Sequence, residues 1–325
     1  MKKRIKYILS VGICLLCLVL LVSRPAAASS AVKNALSVCS GIILPSLLPF
    51  FFLSGIMSAL GIPALLSSLF GKSMERLFCM SGYAATPLFL GLLGGYPIGA
   101  ASVAELVREG KLNKDEGEKL LPFCNNTGPA FIIGAVGGGI FSSAGIGIML
   151  YFVHILAAFS LGKMLSSSSC GNHSSAPKEE IQYGDAISSL PTCVKIAVEK
   201  CLGICGFVIF FSILGALLEE LGLLSFLALR ISLGLGLEIS FCRSLLSGIM
   251  ELGGGIASMS GMTAAPLNIA LAAFILGFGS LSVHCQTLSV ISGTNIKCAR
   301  HFAGRIIHGL LSAVYAFILS SVLRI

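Results

Sequence analysis

The chain has 325 residues, of which 55% are hydrophobic and 11% charged, and its mean hydropathy is +0.95. A soluble domain carries about 25% charged residues, so this composition excludes a soluble globular protein and predicts a polytopic membrane protein whose surroundings are the lipid bilayer. The net charge of +8 does not indicate nucleic-acid binding, because the basic residues flank apolar segments and form no basic groove.

The N-terminal segment fits two interpretations. A basic start over residues 2–6 precedes an apolar stretch over 7–22, and the small residues at 25–29 resemble a signal-peptide cleavage site. Residues 1–30 therefore form either a signal peptide cleaved near residue 28 or a first membrane helix that acts as a signal anchor. Both interpretations place residue 24 outside, so the topology that follows is the same.

Apolar segments of about 20 residues, the length that crosses a bilayer, recur along the chain. We predict full-length spans at about 5–23, 38–60, 120–140, 144–165, 196–218, 266–292 and 303–323. Two further apolar regions, near 82–107 and 241–262, are interrupted by glycines and a proline at 94–97 and by glycines at 253–255. We predict that each forms a re-entrant hairpin, which enters and leaves on one side.

The hairpin interpretation places most of the 22 Lys and Arg residues on the cytoplasmic side, as positive-inside topology requires. The N-terminus is then cytoplasmic and the C-terminus outside. The basic residues left outside are Arg24, Lys33, Arg230, Arg243 and Arg324. An ordinary span through 82–107 would instead distribute the basic residues over both sides, so the charge pattern favours the hairpins.

The order span, hairpin, span, span occurs twice, starting outside the first time and inside the second. A first repeat over 31–165 and a second over 196–325 are joined by a cytoplasmic Ser-rich linker at 166–195. The predicted fold class is an all-α polytopic membrane protein with an inverted-topology repeat, two re-entrant hairpins and about seven full transmembrane helices.

Helix breaks at membrane depth persist where they line a cavity, and paired breaks in two halves point to a transporter's binding site. In the first half we predict substrate contacts from Tyr96 and Pro97 at the hairpin tip, and from Asn125, Asn126 and Thr127 in the third span. The alternatives are a turn that needs its glycines and proline, and asparagines that join helices by hydrogen bonds.

In the second half, Glu251 lies within an apolar segment, where a carboxylate is costly and indicates a functional group. We predict that it binds substrate or couples transport to Na⁺ or H⁺; the alternatives are an interfacial position or pairing with Arg243. Ser280 and Ser282 mirror the asparagines, and His284 is a candidate for proton coupling. Helix packing is the alternative for these three, and no cofactor or metal is predicted.

The segments 44–51, 94–100 and 125–129 resemble the sporulation integral membrane proteins of the YlbJ type, which carry a nucleoside recognition, or gate, domain. The resemblance implies expression in the mother cell of an endospore former and a need in spore cortex formation, in the mother-cell or outer forespore membrane. The gate domain is similar to concentrative nucleoside transporters, which implies a homo-oligomer. The first hairpin lacks their Gln-Thr-Glu signature, so the substrate does not carry over.

The sequence thus predicts a transporter or permease of a small polar solute. The alternative is a non-transporting scaffold or regulator of spore envelope assembly. A transporter requires the site residues to converge on a cavity, whereas a scaffold would pack them without one. An intramembrane enzyme is not expected, because neither a G-x-S-x-G nor an H-E-x-x-H motif occurs.

Overall fold

The computed structural model describes residues 2–166 and 186–324, and the regular structure of these ranges is helical, which confirms the predicted all-α class. A short 3₁₀ turn occupies Gly82–Ala84, and π-helices occupy Cys39–Ile43 and Ala130–Ile140. The α-helices are α1 Lys2–Ser23, α2 Pro25–Val38, α3 Leu44–Ala59, α4 Ile62–Phe78, α5 Ala85–Gly94, α6 Ile98–Arg108, α7 Lys114–Cys124, α8 Ala144–Leu165, α9 Ala186–Glu220, α10 Leu223–Leu235, α11 Ile239–Met250, α12 Leu252–Ala257, α13 Pro266–Phe278, α14 Leu281–Val290 and α15 Ala299–Leu323.

Four helical segments are long and apolar enough to cross a membrane: Ala144–Leu165, Ile187–Glu220, Pro266–Val290 and Ala299–Leu323. Counting each bent helix pair as one span raises the number to six, with bends of 97° after Ser23 and 86° after Ala59. The described residues thus hold four to six candidate spans, whereas the sequence predicts about seven. Helices α4 and α10 lie where the sequence predicts no span.

Both predicted hairpin regions contain two helices that fold back on each other. In the first, α5 and α6 meet so closely that a Cβ added to Gly91 would lie 3.1 Å from the Cα of Gly99. In the second, a Cβ on Gly255 of α12 would lie 2.1 Å from the Cα of Gly248 in α11. An added Cβ at Gly255 would overlap α11, and one at Gly91 would crowd α6 and lie 1.7 Å from the carbonyl oxygen of Cys124. Glycine at these positions therefore permits the close packing of each hairpin.

Each hairpin is followed by a broken helix. Helix α7 ends at Cys124 and the π-helix begins at Ala130, so the predicted third span is interrupted. Helix α13 ends at Phe278, and α14 begins at Leu281 after Gly279, whose φ is +78°. The order hairpin, broken helix, long helix therefore occurs in both halves, while the inversion of the repeat stays a prediction.

Charged contacts gather the ends of several helices on one face of the molecule. Arg108 donates to the carbonyls of Val290 and Ser292 at 3.0 and 2.8 Å. Arg300 contacts Asp115 at 2.6 Å. This is the face that the charge pattern predicts to be cytoplasmic. Of the predicted linker, residues 167–185 lie outside the described ranges and 186–195 form the start of α9.

Candidate functional site

A cavity of about 100 Å³ lies between the tips of the two hairpins. Its wall is mainly apolar, with four polar side chains that come from both halves of the chain: Tyr96, Thr127, Glu251 and Gln286. The first hairpin tip, the break after α7, the second hairpin tip and α14 thus all contribute to one small space. An apolar wall with a few convergent polar groups is typical of a small-molecule site, and the volume of about 100 Å³ is below the roughly 300–1,000 Å³ that such sites usually have.

Two larger cavities adjoin the central one along α9. The first, here the Arg108 vestibule, has a volume of about 880 Å³ and is lined by Pro97, Glu105, Arg108 and one end of α9. It shares Ile204 and Gln286 with the central cavity.

The second, here the Arg243 vestibule, has a volume of about 730 Å³ and is lined by Arg243 and by the other end of α9, as far as Glu219 and Glu220. It shares Val208 and Glu251 with the central cavity. The three cavities therefore follow one another along a helix of 35 residues, which spans about 50 Å at 1.5 Å per residue.

Beside the central cavity, the ends of both broken helices meet at Arg305. This side chain is fully buried and extends from α15. Its guanidinium donates to the carbonyls of Asn125 at 2.9 Å and Pro122 at 3.3 Å, at the end of α7. It also donates to the carbonyls of Phe278 and Leu276, both at 3.4 Å, at the end of α13.

Tyr96 connects this arginine to the cavity. Its hydroxyl accepts a hydrogen bond from Arg305 and donates to the carbonyl of Leu276 at 2.7 Å. Thr127 donates to the same carbonyl at 3.0 Å. The tip of the first hairpin and the first break are therefore both bonded to the second half of the chain.

The two asparagines at the first break are buried and bonded differently. Asn125 donates to the hydroxyl of Thr287 on α14 at 2.9 Å, and Asn126 donates to the carbonyl of Phe123 at 2.8 Å. The side-chain oxygens of both have no hydrogen-bond partner among the described residues. Asn125 thus joins helices, as the alternative interpretation has it, and neither asparagine lines the three cavities.

Glu251 separates the central cavity from the Arg243 vestibule and caps α12. Its carboxylate accepts hydrogen bonds from the backbone N–H groups of Gly253 at 3.0 Å and Gly254 at 2.6 Å, which a helix N-terminus leaves unsatisfied. The ion pair that Arg243 makes among the described residues is with Glu219, at 3.5 Å, and not with Glu251.

Three polar residues at the start of α14, namely Ser280, Ser282 and His284, are buried away from the cavities. Ser280 caps α14 by accepting from the N–H of Val283 at 3.2 Å, and Ser282 accepts from Gln286 at 3.3 Å. A ring nitrogen of His284 lies 3.3 Å from one of His301. None of the three predicted residues lines the cavities described above.

Two residues of the site, Arg305 and Gln286, are not among those that the sequence predicts. From its place in the sequence, Arg305 is interpreted as one of the charges that flank a membrane helix. Its complete burial corrects that interpretation. The available signal was its position in the second turn of α15, five residues beyond Arg300 and ahead of a mainly apolar stretch. His308 supports it with Nδ1 2.8 Å from the guanidinium. Among the described residues, no group of three or more His, Cys, Asp or Glu could hold a metal ion.

No family model matches the chain. The sporulation integral membrane protein YlbJ of Bacillus subtilis is 30% identical over 321 residues, which cover 92% of this chain and 79% of that protein. The fold is similar to that of CNTnw in an inward-facing substrate-bound state, with a TM-score of 0.51 and 14% identity over 98% of this chain and 85% of that one. The chain belongs to the family of the sporulation integral membrane protein YlbJ.

Proposed function

We propose that this protein transports a small polar solute across the membrane during spore cortex formation. The observation that carries the proposal is the row of three cavities along α9, with the narrow one between the two hairpin tips. A scaffold needs no such route. Of the site residues predicted to converge, Tyr96, Thr127 and Glu251 line the central cavity, whereas Asn125, Asn126 and Ser280 lie outside it. The fold shared with CNTnw supports the same function.

In this proposal the central cavity is the binding site, and the groups on its two sides control access. Gln286 lies where the cavity adjoins the Arg108 vestibule, and Glu251 lies where it adjoins the Arg243 vestibule. With the Arg108 vestibule on the cytoplasmic side, as the charge pattern predicts, a solute would pass Gln286 and Glu251 in turn. Tyr96 and Thr127 provide hydroxyl groups on the way.

Thermal unfolding of the purified protein in detergent tests for the binding site. The chain has no tryptophan but 12 cysteines, so a thiol-reactive dye is a suitable probe of unfolding. Nucleosides, amino acids, dipicolinate and sugars would be screened, because a ligand that binds only the folded state raises the Tm. We expect a saturable rise with one solute class, and uptake of that solute into proteoliposomes.

The variant Glu251→Gln links any such shift to the cavity. Its amide oxygen can keep one of the two bonds that cap α12, so we expect a loss of about 1 kcal/mol in stability, while the ligand-induced rise in Tm disappears. Glu238→Gln is the matched control, because Glu238 is exposed and lines none of the three cavities. In cells, Glu251→Gln should impair sporulation at unchanged protein abundance.

Two results would contradict the proposal. One is a cooperatively melting protein whose Tm responds to no solute and whose proteoliposomes take up none. The other is a Glu251→Gln protein that loses abundance and sporulation together, which would make Glu251 a structural residue. Either result would favour the scaffold or regulator of envelope assembly.

A further inference from the structure

Arg305 occupies an unusual position, because it lies between the C-terminal ends of two helices from different halves of the chain. The last carbonyls of a helix have no donor within the helix, and they carry the negative end of its dipole. Both α7 and α13 end in this way, and their carbonyls accept from the same guanidinium. Two partial negative charges therefore converge on one buried cation.

The charge of Arg305 is balanced by these helix ends. None of the ion pairs in the described part of the chain includes Arg305. The side chains that bond to it are the hydroxyl of Tyr96 and the ring of His308. An arginine keeps its charge in proteins, and an uncompensated buried charge is strongly unfavourable. The carbonyls are therefore the counter-charge that keeps the guanidinium in place.

In transporters with broken helices, the C-terminal ends of half-helices and their unwound carbonyls coordinate coupling cations such as Na⁺. We propose that Arg305 is the permanent cation at the point where α7 and α13 end, here the crossing. Its guanidinium takes the position that a free monovalent cation would otherwise fill. Ligand binding and folding then need no sodium. Removing the guanidinium converts the crossing into a site that binds a small monovalent cation from solution.

This inference narrows the choice of coupling ion in the proposed transport, but it does not depend on transport taking place. Its test uses protein stability in the absence of any solute, so a negative transport result leaves it intact. Conversely, uptake of a solute by itself neither supports nor contradicts the role of Arg305, and only a sodium requirement of that uptake would contradict it. The two proposals therefore fail separately.

The experiment compares the thermal unfolding of the full-length wild type with that of Arg305→Ala, Arg305→Gln and Arg300→Ala. Each protein is measured at constant ionic strength in choline chloride, with titrated sodium chloride or methylguanidinium chloride. Methylguanidinium replaces the head group that the two Arg305 substitutions remove. Arg300→Ala is the matched control, since Arg300 lies on the same helix but is exposed and bonded to Asp115.

We expect the wild type and Arg300→Ala to respond equally to choline, sodium and methylguanidinium. In choline the Tm of Arg305→Ala should fall by roughly 10 °C, as expected when one partner of a buried charge interaction is lost. Methylguanidinium should restore much of this loss in a saturable way, and sodium should restore part of it. Arg305→Gln, which restores more of the volume but no charge, should respond to the same cations.

Three results would overturn the inference. A saturable rise in the Tm of the wild type with sodium would show that the crossing already binds a free cation. Arg305 variants that respond to cations no more than Arg300→Ala would show that the guanidinium occupies no cation site. Variants of Arg305 that fail to fold whatever cation is present would show that the arginine acts through packing, because a cation from solution should supply the missing charge.

Discussion

The two hairpins have the same design, but their tips are held in different ways. The tip of the first is bonded across the molecule, since Tyr96 contacts both Arg305 and the carbonyl of Leu276. The tip of the second is bonded within itself, since the carboxylate of Glu251 accepts from Gly253 and Gly254, two and three residues further along. Its second arm, α12, has only six residues.

This difference indicates which hairpin can move with the smaller loss of hydrogen bonds. Displacing the first would break the bonds of Tyr96 to α13 and to Arg305, and would remove a partner of that buried arginine. Displacing the second leaves the cap of Glu251 intact, because the cap moves with it. Under the transport proposal, the first hairpin is therefore the fixed wall of the central cavity, and the second is the movable one.

The largest effect should come from forcing the first hairpin off its neighbour. In Gly91→Ala the new Cβ would lie 1.7 Å from the carbonyl oxygen of Cys124, a backbone atom that cannot rotate away. We expect a loss at the upper end of the roughly 1–3 kcal/mol that overpacked cores show, or more, measured as a lower Tm or a failure to accumulate. Gly203→Ala is the control, since nothing lies within 4 Å of its added Cβ. Equal melting of the two variants would contradict the close approach of α5 and α7.

A smaller effect is expected from the hydroxyl at the first tip. Tyr96→Phe removes the acceptor for Arg305 and one donor to Leu276 while keeping the ring, so the loss should be about 1–3 kcal/mol. Tyr315→Phe is the control, because its half-buried hydroxyl bonds to that of Ser160 in α8 at 3.0 Å, away from both hairpins. A Tyr96→Phe protein that melts no lower than Tyr315→Phe would contradict the difference between the two hairpins.

The breaks could be predicted from the sequence because their signals are local. Glycine, proline and unpaired polar residues within an apolar run mark a break wherever the rest of the chain lies. This is why the sequence predicts the interruptions at 94–97 and 253–255, and why the polar residues at 125–127 and 280–282 lie at or beside the breaks of the two helices predicted as full spans. Tyr96, Thr127 and Glu251 were predicted site residues for the same reason, and they line the cavity.

Arg305 could not be assigned in this way, because its partners are distant in the chain. It bonds to carbonyls about 30 and about 180 residues away, and backbone carbonyls leave no mark in a sequence. A basic residue near the start of an apolar helix is typical of a topology signal. The number of spans was uncertain for a related reason: whether a bent helix pair crosses once depends on its packing against other helices.

The smallest effect should come from the second hairpin. The hydroxyl of Ser258, at the end of α12, lies 2.7 Å from the carbonyl of Gly255 and 2.9 Å from the hydroxyl of Ser244 in α11, so it bonds the two arms to each other. In Ser258→Ala we expect about 0.5–1.5 kcal/mol of local stability to be lost. Hydrogen–deuterium exchange should accelerate over 239–258, while the Tm of the whole protein stays close to that of the wild type.

Ser240→Ala is the control for this measurement, since Ser240 is exposed at the start of α11 and contacts only Glu238 at 3.3 Å among the described side chains. Exchange in that variant should stay at the wild-type rate. If Ser258→Ala instead lowered the Tm as much as Tyr96→Phe does, the second hairpin would be coupled to the global fold as firmly as the first. The second hairpin would then not be the movable wall of the central cavity, because local opening of 239–258 would cost as much free energy as unfolding the crossing at Arg305.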